Sequence, residues 1–181
     1  MKFSEGLPIA EKGLADRIIR VNHAGEHGPV NIYAGQILMA RLTARDMLSE
    51  LAEFRSHEQR HRNIFYAELQ RRGRSRCRSY WLCGFGGYLL GLFTGLLGRS
   101  AIAATTVAVE SVVLKHLEQQ LIAIGGSDGA AIVAISTIIS EERQHRDQSQ
   151  RHLEAGQFWS VVLTPIVSVS TEAVIWLGMR P

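Results

Sequence analysis

Two short motifs carry the residues best suited to chemistry, Glu58-Gln-Arg-His61 and Glu142-Arg-Gln-His145. On a helix each Glu-x-x-His presents a carboxylate and an imidazole one turn apart on the same face. The motifs lie eighty-four residues apart, and the same offset separates Glu26 from Glu110, each thirty-two positions ahead of the glutamate of its motif. A single Glu-x-x-His reads as solvated helix surface, but a matched glutamate before each of two copies points to a duplicated ligand pattern. Its six candidates are Glu26, Glu58, His61, Glu110, Glu142 and His145. Four carboxylates and two imidazoles suit a pair of iron or manganese ions, whereas a structural zinc site more often recruits thiolates.

The spacing also dictates the elements that must hold these side chains. Ligands on two consecutive antiparallel helices come level only if the turn falls halfway between them. Between Glu110 and Glu142 that midpoint lies in Gly125-Gly126-Ser127-Asp128-Gly129, where glycines can end one helix and Ser127 or Asp128 can cap the next. Sixteen residues each way is about 24 Å of helix at 1.5 Å per residue. Between Glu26 and Glu58 the midpoint is residue 42, beside Thr43-Ala44-Arg45-Asp46, which reads as the cap of a second helix. Two such hairpins form a four-helix bundle with the six ligands projecting into its centre, the arrangement of di-iron and di-manganese carboxylate proteins.

A chain of 181 residues with 46% hydrophobic and 20% charged residues fits one all-α domain over 1–181, on the apolar side for a soluble protein. It divides into a hairpin at 14–72, an apolar segment at 80–98, a hairpin at 100–155 and an apolar helix at 158–178. The net charge of +3 is modest. Cys77 and Cys83 form neither CxxC nor a disulfide framework and read as incidental thiols in a reducing compartment. The N-terminus has neither the apolar core of a signal peptide nor the composition of a mitochondrial presequence, so the expected location faces the cytoplasm, or the mitochondrial matrix for a mature eukaryotic form.

On the first helix, Asn22 and His23 share the face of Glu26 and either orient it or pack as ordinary polar groups. Pro29 is expected to kink the helix near the ligand, and Gly25 and Gly28 to admit a close neighbour. The second helix, 43–72, ends in a run containing Arg71, Arg72, Arg74, Arg76 and Arg78, read as a collar for anionic lipid headgroups; without interleaved aromatics it does not read as a nucleic-acid site. The uncharged stretch 80–98 is long enough for one membrane span. A full crossing would strand the two hairpins on opposite sides, so it is expected to pack on the bundle and dip into one leaflet, with Tyr80, Trp81 and the arginines at the interface. His116, about 120° round the helix from Glu110, is a poor ligand. Glu141, Asp147 and His152 read as solvated or as supporting groups. The last segment, 158–177, covers the bundle or joins 80–98 in shaping a hydrophobic path for a long substrate.

Arg20-Val-Asn-His-Ala-Gly-Glu26, Ile32-Tyr-Ala-Gly-Gln36, Gly95-Leu-Leu-Gly98, Thr106-Val-Ala-Val-Glu110 and Glu142-Arg-Gln-His-Arg-Asp147 resemble the demethoxyubiquinone hydroxylases, the Coq7 family. The likeness runs from about Ile18 to the C-terminus, and all six ligands match. It implies a ferritin-like four-helix bundle with a di-iron centre and extra membrane-associating helices. It also implies a monooxygenase that hydroxylates the benzoquinone ring of a polyprenylated ubiquinone precursor, with O2 as co-substrate and NADH as reductant. A peripheral site follows from the same likeness, on the cytoplasmic face of the bacterial inner membrane or the matrix side of the mitochondrial one, with room for a lipid-binding accessory protein. No catalytic residue beyond the ligands is implied. The sequence departs from the family pattern at Asn22, usually Asp, at His27, usually Tyr, at Pro29, usually a smaller residue, and at Lys115 and Leu117. Two other readings use the same bundle: a ferritin-like peroxidase or iron-oxidising protein, and a non-catalytic membrane scaffold of quinone synthesis.

Overall fold

The computed structural model describes residues 9–153 and 158–180. The first eight residues of the N-terminal stretch behind the targeting expectation lie outside them. Among the described residues the chain is all-helical: α1 Ile9–Thr43, a 3-10 turn Arg45–Met47, α2 Leu48–Arg71, α3 Tyr80–Leu96, α4 Arg99–Ile124, α5 Gly129–Gln150 and α6 Phe158–Met179. Helices α1, α2, α4 and α5 form a ferritin-like bundle of two antiparallel hairpins. An apolar helix follows each hairpin and packs on the hairpin's first member, α3 on α1 and α6 on α4. The repeat seen in the ligand spacing is therefore a repeat of three helices.

Turn chemistry explains the second hairpin well. Gly125 takes a left-handed conformation and ends α4, while Asp128 caps α5 by accepting a hydrogen bond from the Ala131 amide at 3.1 Å. The first hairpin departs from expectation. The α1 helix continues through Thr43, the chain turns at 44–47, and α2 begins at Leu48 with no side-chain cap. Thr43 instead donates to the Gly95 carbonyl of α3 at 2.6 Å. Helix α1 also runs on through Pro29 without a break in helical assignment.

The two largest of the five core clusters among the described residues lie one at each end of the bundle. At one end Ile18, Ile19, Phe65, Leu69, Leu117, Ile135 and Ile138 pack together. At the other, Tyr33, Ala40, Met47, Leu51, Phe54 and Ile102 do the same. Each buried side chain of this size stabilises the fold by roughly 1.5–3 kcal/mol. In every bundle helix the ligand positions fall beside or between these clusters, so the polar centre is walled by hydrocarbon.

Helix α3 lies along α1 at very short range. Its Gly84, Gly87, Gly91 and Gly95 face His27, Gly28, Ile32 and Gln36, a register that rises together and sets the two helices parallel. A Cβ on Gly91 would stand 2.1 Å from the Ile32 carbonyl oxygen, a contact that only glycine permits. The helices do close up at Gly28, but it is Gly87 that must lack a side chain there: a Cβ on Gly87 would stand 2.5 Å from the Gly28 carbonyl oxygen, whereas one on Gly28 would meet Cys83 at an ordinary 3.8 Å. Gly25 admits no close neighbour and borders a narrow cavity instead. Tyr80, expected at an interface, is buried.

Candidate metal centre

All six candidate ligands are buried, and they converge. Ligand atoms of Glu26, Glu58, His61 and Glu142 lie within 4.8 Å of one another, as do those of Glu58, Glu110, Glu142 and His145. Glu58 and Glu142 belong to both sets. The geometry is thus two half-sites that share two carboxylates, each completed by one further glutamate and one histidine. His61 Nδ1 stands 2.7 Å from Glu142 Oε1, and His145 Nδ1 stands 3.1 Å from Glu58 Oε1.

These close pairs do not satisfy one another. Both oxygens of Glu58 and of Glu142, Oε2 of Glu110 and Nδ1 of both histidines are buried without a hydrogen bond of acceptable geometry. Buried polar atoms without partners are rare, because each costs about 1–3 kcal/mol. Here they point at shared central positions, and carboxylate and imidazole donors fit iron or manganese there. The residues present therefore fit a dinuclear cation site.

Electrostatics agree with the geometry. Burial would lower the His61 pKa, but Glu142 and Glu58 outweigh it and push it up to about 12. Burial raises the carboxyls of Glu26 and Glu110 well above the usual range, and Glu142 and Glu58 add to the effect. Glu58 shifts the other way, because His145 and His61 overcome its burial. Protons thus hold together what cations would hold, and metal binding would displace them.

Around the six, the structure supplies partners that orient them. Nε2 of His61 meets Glu141 Oε2 at 2.7 Å, and Arg60 braces that carboxylate at 3.0 Å. Nε2 of His145 meets His57 Nδ1 at 2.9 Å. Tyr33 donates its hydroxyl to Glu110 Oε1 at 3.0 Å. Glu141 was among the residues read as solvated or supporting, and it supports. His57 and Tyr33 were not singled out for this role. A signal for His57 existed: it precedes Glu58 as Glu141 precedes Glu142, so the eighty-four-residue offset marks it as well. Asp147 is exposed and pairs with Arg146, and His152 pairs with Glu50, so neither joins the site.

Asn22 and His23 do not hydrogen-bond Glu26. Asn22 exchanges amide hydrogen bonds with Gln120 at 2.8 and 2.9 Å, tying α1 to α4. His23 is stacked between Tyr66 and Tyr80, and burial with nearby Arg76 lowers its pKa to about 4. His116 is no ligand; it pairs with Glu172 of α6 at 2.6 Å. Beside that pair a narrow cavity of about 30 Å³, lined by Val21, Val113 and Ile175, reaches Glu26 and Glu110 between α1, α4 and α6.

A family model described as ubiquinone biosynthesis protein COQ7 matches residues 13–178. The chain is 30% identical over 178 residues to the NADPH-dependent 3-demethoxyubiquinone 3-hydroxylase, mitochondrial, of Dictyostelium discoideum, an alignment covering 94% of this chain and 79% of that protein. It is 30% identical to the 3-demethoxyubiquinol 3-hydroxylase of Rhodospirillum rubrum, covering 92% and 78%, and 32% identical to the human mitochondrial hydroxylase, covering 93% and 75%.

Proposed function

The chain belongs to the ubiquinone biosynthesis protein COQ7 family, and on that premise we propose that it is a di-iron monooxygenase acting on a demethoxyubiquinone-type ring. The observation that carries this reading is the pair of buried half-sites sharing Glu58 and Glu142. Glu26 and His61 would complete one iron site, Glu110 and His145 the other. When bound, the iron pair supplies the activation of O2 that aromatic hydroxylation requires.

The chain's own residues do the rest. Glu141 and His57 hold the two imidazoles with Nδ1 facing inward. Tyr33 fixes Glu110, and the two apolar clusters keep water from the centre. The ring would approach on the α1, α4 and α6 side, where the narrow cavity meets Glu26 and Glu110 and the His116–Glu172 pair stands at its outer end. One oxygen atom enters the ring and the other leaves as water, at the expense of a reduced nicotinamide. Relatives in this family are named for NADPH, whereas the sequence resemblance implied NADH, so the assay runs both. The exposed apolar faces of α3 and α6 support a peripheral membrane location and a polyprenyl tail that stays in lipid.

The test is anaerobic loading with ferrous iron, then addition of a demethoxyubiquinone analogue, NADPH or NADH, and O2, with products identified by mass. Glu142→Ala runs in parallel. Gain of one oxygen atom, lost in the variant, is the expected result. Iron bound and O2 consumed with the quinone unchanged would favour a peroxidase or iron-oxidising role instead.

A further inference from the structure

The bundle centre has a second approach, opposite the side where α1 meets α4. A cavity of about 450 Å³ opens between α2 and α5, lined by Arg60, His61, Asn63, Ala67, Thr137 and Glu141 among others. His61 forms its floor. That side chain is 2% exposed, with Nδ1 turned to the centre, 2.7 Å from Glu142 Oε1, and Nε2 turned out to Glu141 Oε2 at 2.7 Å. One imidazole therefore separates this cavity from the shared glutamates. Glu141 is already 33% exposed. Further out, His57 Nδ1 lies 3.9 Å from the same Glu141 oxygen, and His57 Nε2 lies 3.9 Å from Oε1 of Glu53, which is 52% exposed. His57 also meets His145, so the string Glu53, His57, Glu141 runs from water to the outer nitrogens of both ligand imidazoles.

We propose that the α2/α5 face is the loading route for the divalent cations of the centre, with Glu53, His57 and Glu141 as successive donors that replace the ion's waters on its way in. The narrow cavity on the opposite side does not suit an ion. Its space of about 30 Å³ holds one or two waters, and Val21, Val113 and Ile175 stand in its wall. A cation stripped of its water shell there would lack donors along the way. Between α2 and α5 the space is larger, and carboxylate and imidazole, the same donor types as the ligands themselves, line the path. Arg60 acts as the plug. Its half-exposed guanidinium holds both Glu141 oxygens, at 3.0 and 3.1 Å, and is displaced into water when a cation takes its place on that carboxylate. A change of Glu141 rotamer then frees His61 Nε2, and the ion passes to Glu58 and Glu142 behind it. Metal and quinone would enter by opposite faces of the bundle.

This inference rests on the dinuclear reading above, and the experiment separates the two. The full chain, freed of metal, is mixed anaerobically with ferrous iron, and free iron is trapped at set times with a coloured ferrous chelator, which gives both the loading rate and the final occupancy. Ala67→Trp puts an indole in the α2/α5 mouth, and Ala123→Trp puts the same group in the mouth beside α4 and α6; both alanines are exposed. Closing a charged cleft forfeits its gain in on-rate, so Ala67→Trp is expected to slow loading by on the order of ten-fold or more, with final occupancy unchanged and Ala123→Trp loading at the parent's rate. Glu53→Gln is expected to slow loading and Arg60→Gln to speed it, both effects fading as salt rises. Thr137→Trp, from the facing helix, carries the test if circular dichroism shows Ala67→Trp to be unfolded. Slowing by Ala123→Trp instead would overturn the route in favour of the quinone side. Two irons bound at the parent's rate in every variant would overturn it while leaving the dinuclear centre standing. A parent chain that binds no iron pair would remove the centre, and the route with it.

Discussion

His61 and His145 occupy equivalent places in the two motifs, yet a carboxylate stands behind one and an imidazole behind the other. Glu141 accepts from His61 and makes it the more basic ligand, whereas burial lowers the pKa of His57, which stays neutral as it accepts from His145. The two metals would therefore differ in affinity. Glu141→Ala and His57→Ala are each expected to weaken iron binding by about 10- to 100-fold, Glu141→Ala mainly at the half-site of Glu26 and His61 and His57→Ala at the other. Stepwise iron titration followed by Mössbauer spectroscopy reads which site empties first. The six inner residues were legible in the sequence because ligand chemistry and helical spacing restrict them together. Tyr33 was not, since it reaches Glu110 across α1 and α4 and no local pattern links the two. Asn22 invited a reading beside Glu26, but its side chain found a better partner in Gln120, and an amide pair closes both donors and acceptors at once.

Between elements, the closest fit is α3 on α1, and it depends on hydrogen atoms where other residues carry methyl groups. Gly91→Ala would drive a Cβ into the Ile32 carbonyl and is expected to destabilise the fold by roughly 1–3 kcal/mol. Gly86→Ala, on the open side of the same helix with nothing within 4 Å, is expected to stabilise by about 0.5–1 kcal/mol. Urea midpoints of the two variants check the contrast. A second junction is ionic: Arg72, capping the end of α2, joins Asp16 of α1 to Asp128 at the start of α5. Hydrogen bonds from Arg72 lower the carboxyl of Asp128, and those from Arg71 and Arg72 lower that of Glu68. Depressed carboxyls stabilise the fold above their ordinary values of 3.8 and 4.5, and that contribution is lost as pH falls through the lowered folded values. Arg72→Ala is expected to cost about 3 kcal/mol near neutral pH and to flatten the acid limb of a stability-against-pH curve. The helices themselves and the Gly125–Asp128 turn were readable because local chemistry defines them. The turn at 44–47 was not, because Thr43, which looked like a cap, is drawn off to Gly95 of α3.

On the scale of the molecule, two helices among the described residues are long and apolar enough to cross a membrane, α4 and α6, and the fold uses them differently. The most apolar window of α4 is 67% buried and forms the bundle core, whereas that of α6 is 11% buried. Together with Trp81, Phe85, Leu89 and Phe93 of α3, the outer side of α6 gives the protein one large apolar face. Phe85→Ser/Phe93→Ser is expected to leave the melting temperature within a few degrees of the parent while reducing vesicle partitioning by on the order of ten-fold or more, read by sedimentation. Hydropathy revealed both apolar helices in the sequence, but not which side of each faces outward, because that is set by the glycine register on α1 and by the run of small residues on α4. The claim on which everything else depends is that this bundle centre holds two metals through shared carboxylates. Anomalous diffraction at the iron edge from anaerobically loaded crystals tests it most directly. Two peaks per chain are expected, one among Glu26, Glu58, His61 and Glu142 and one among Glu58, Glu110, Glu142 and His145. A single peak, or iron bound away from Glu58 and Glu142, would contradict it.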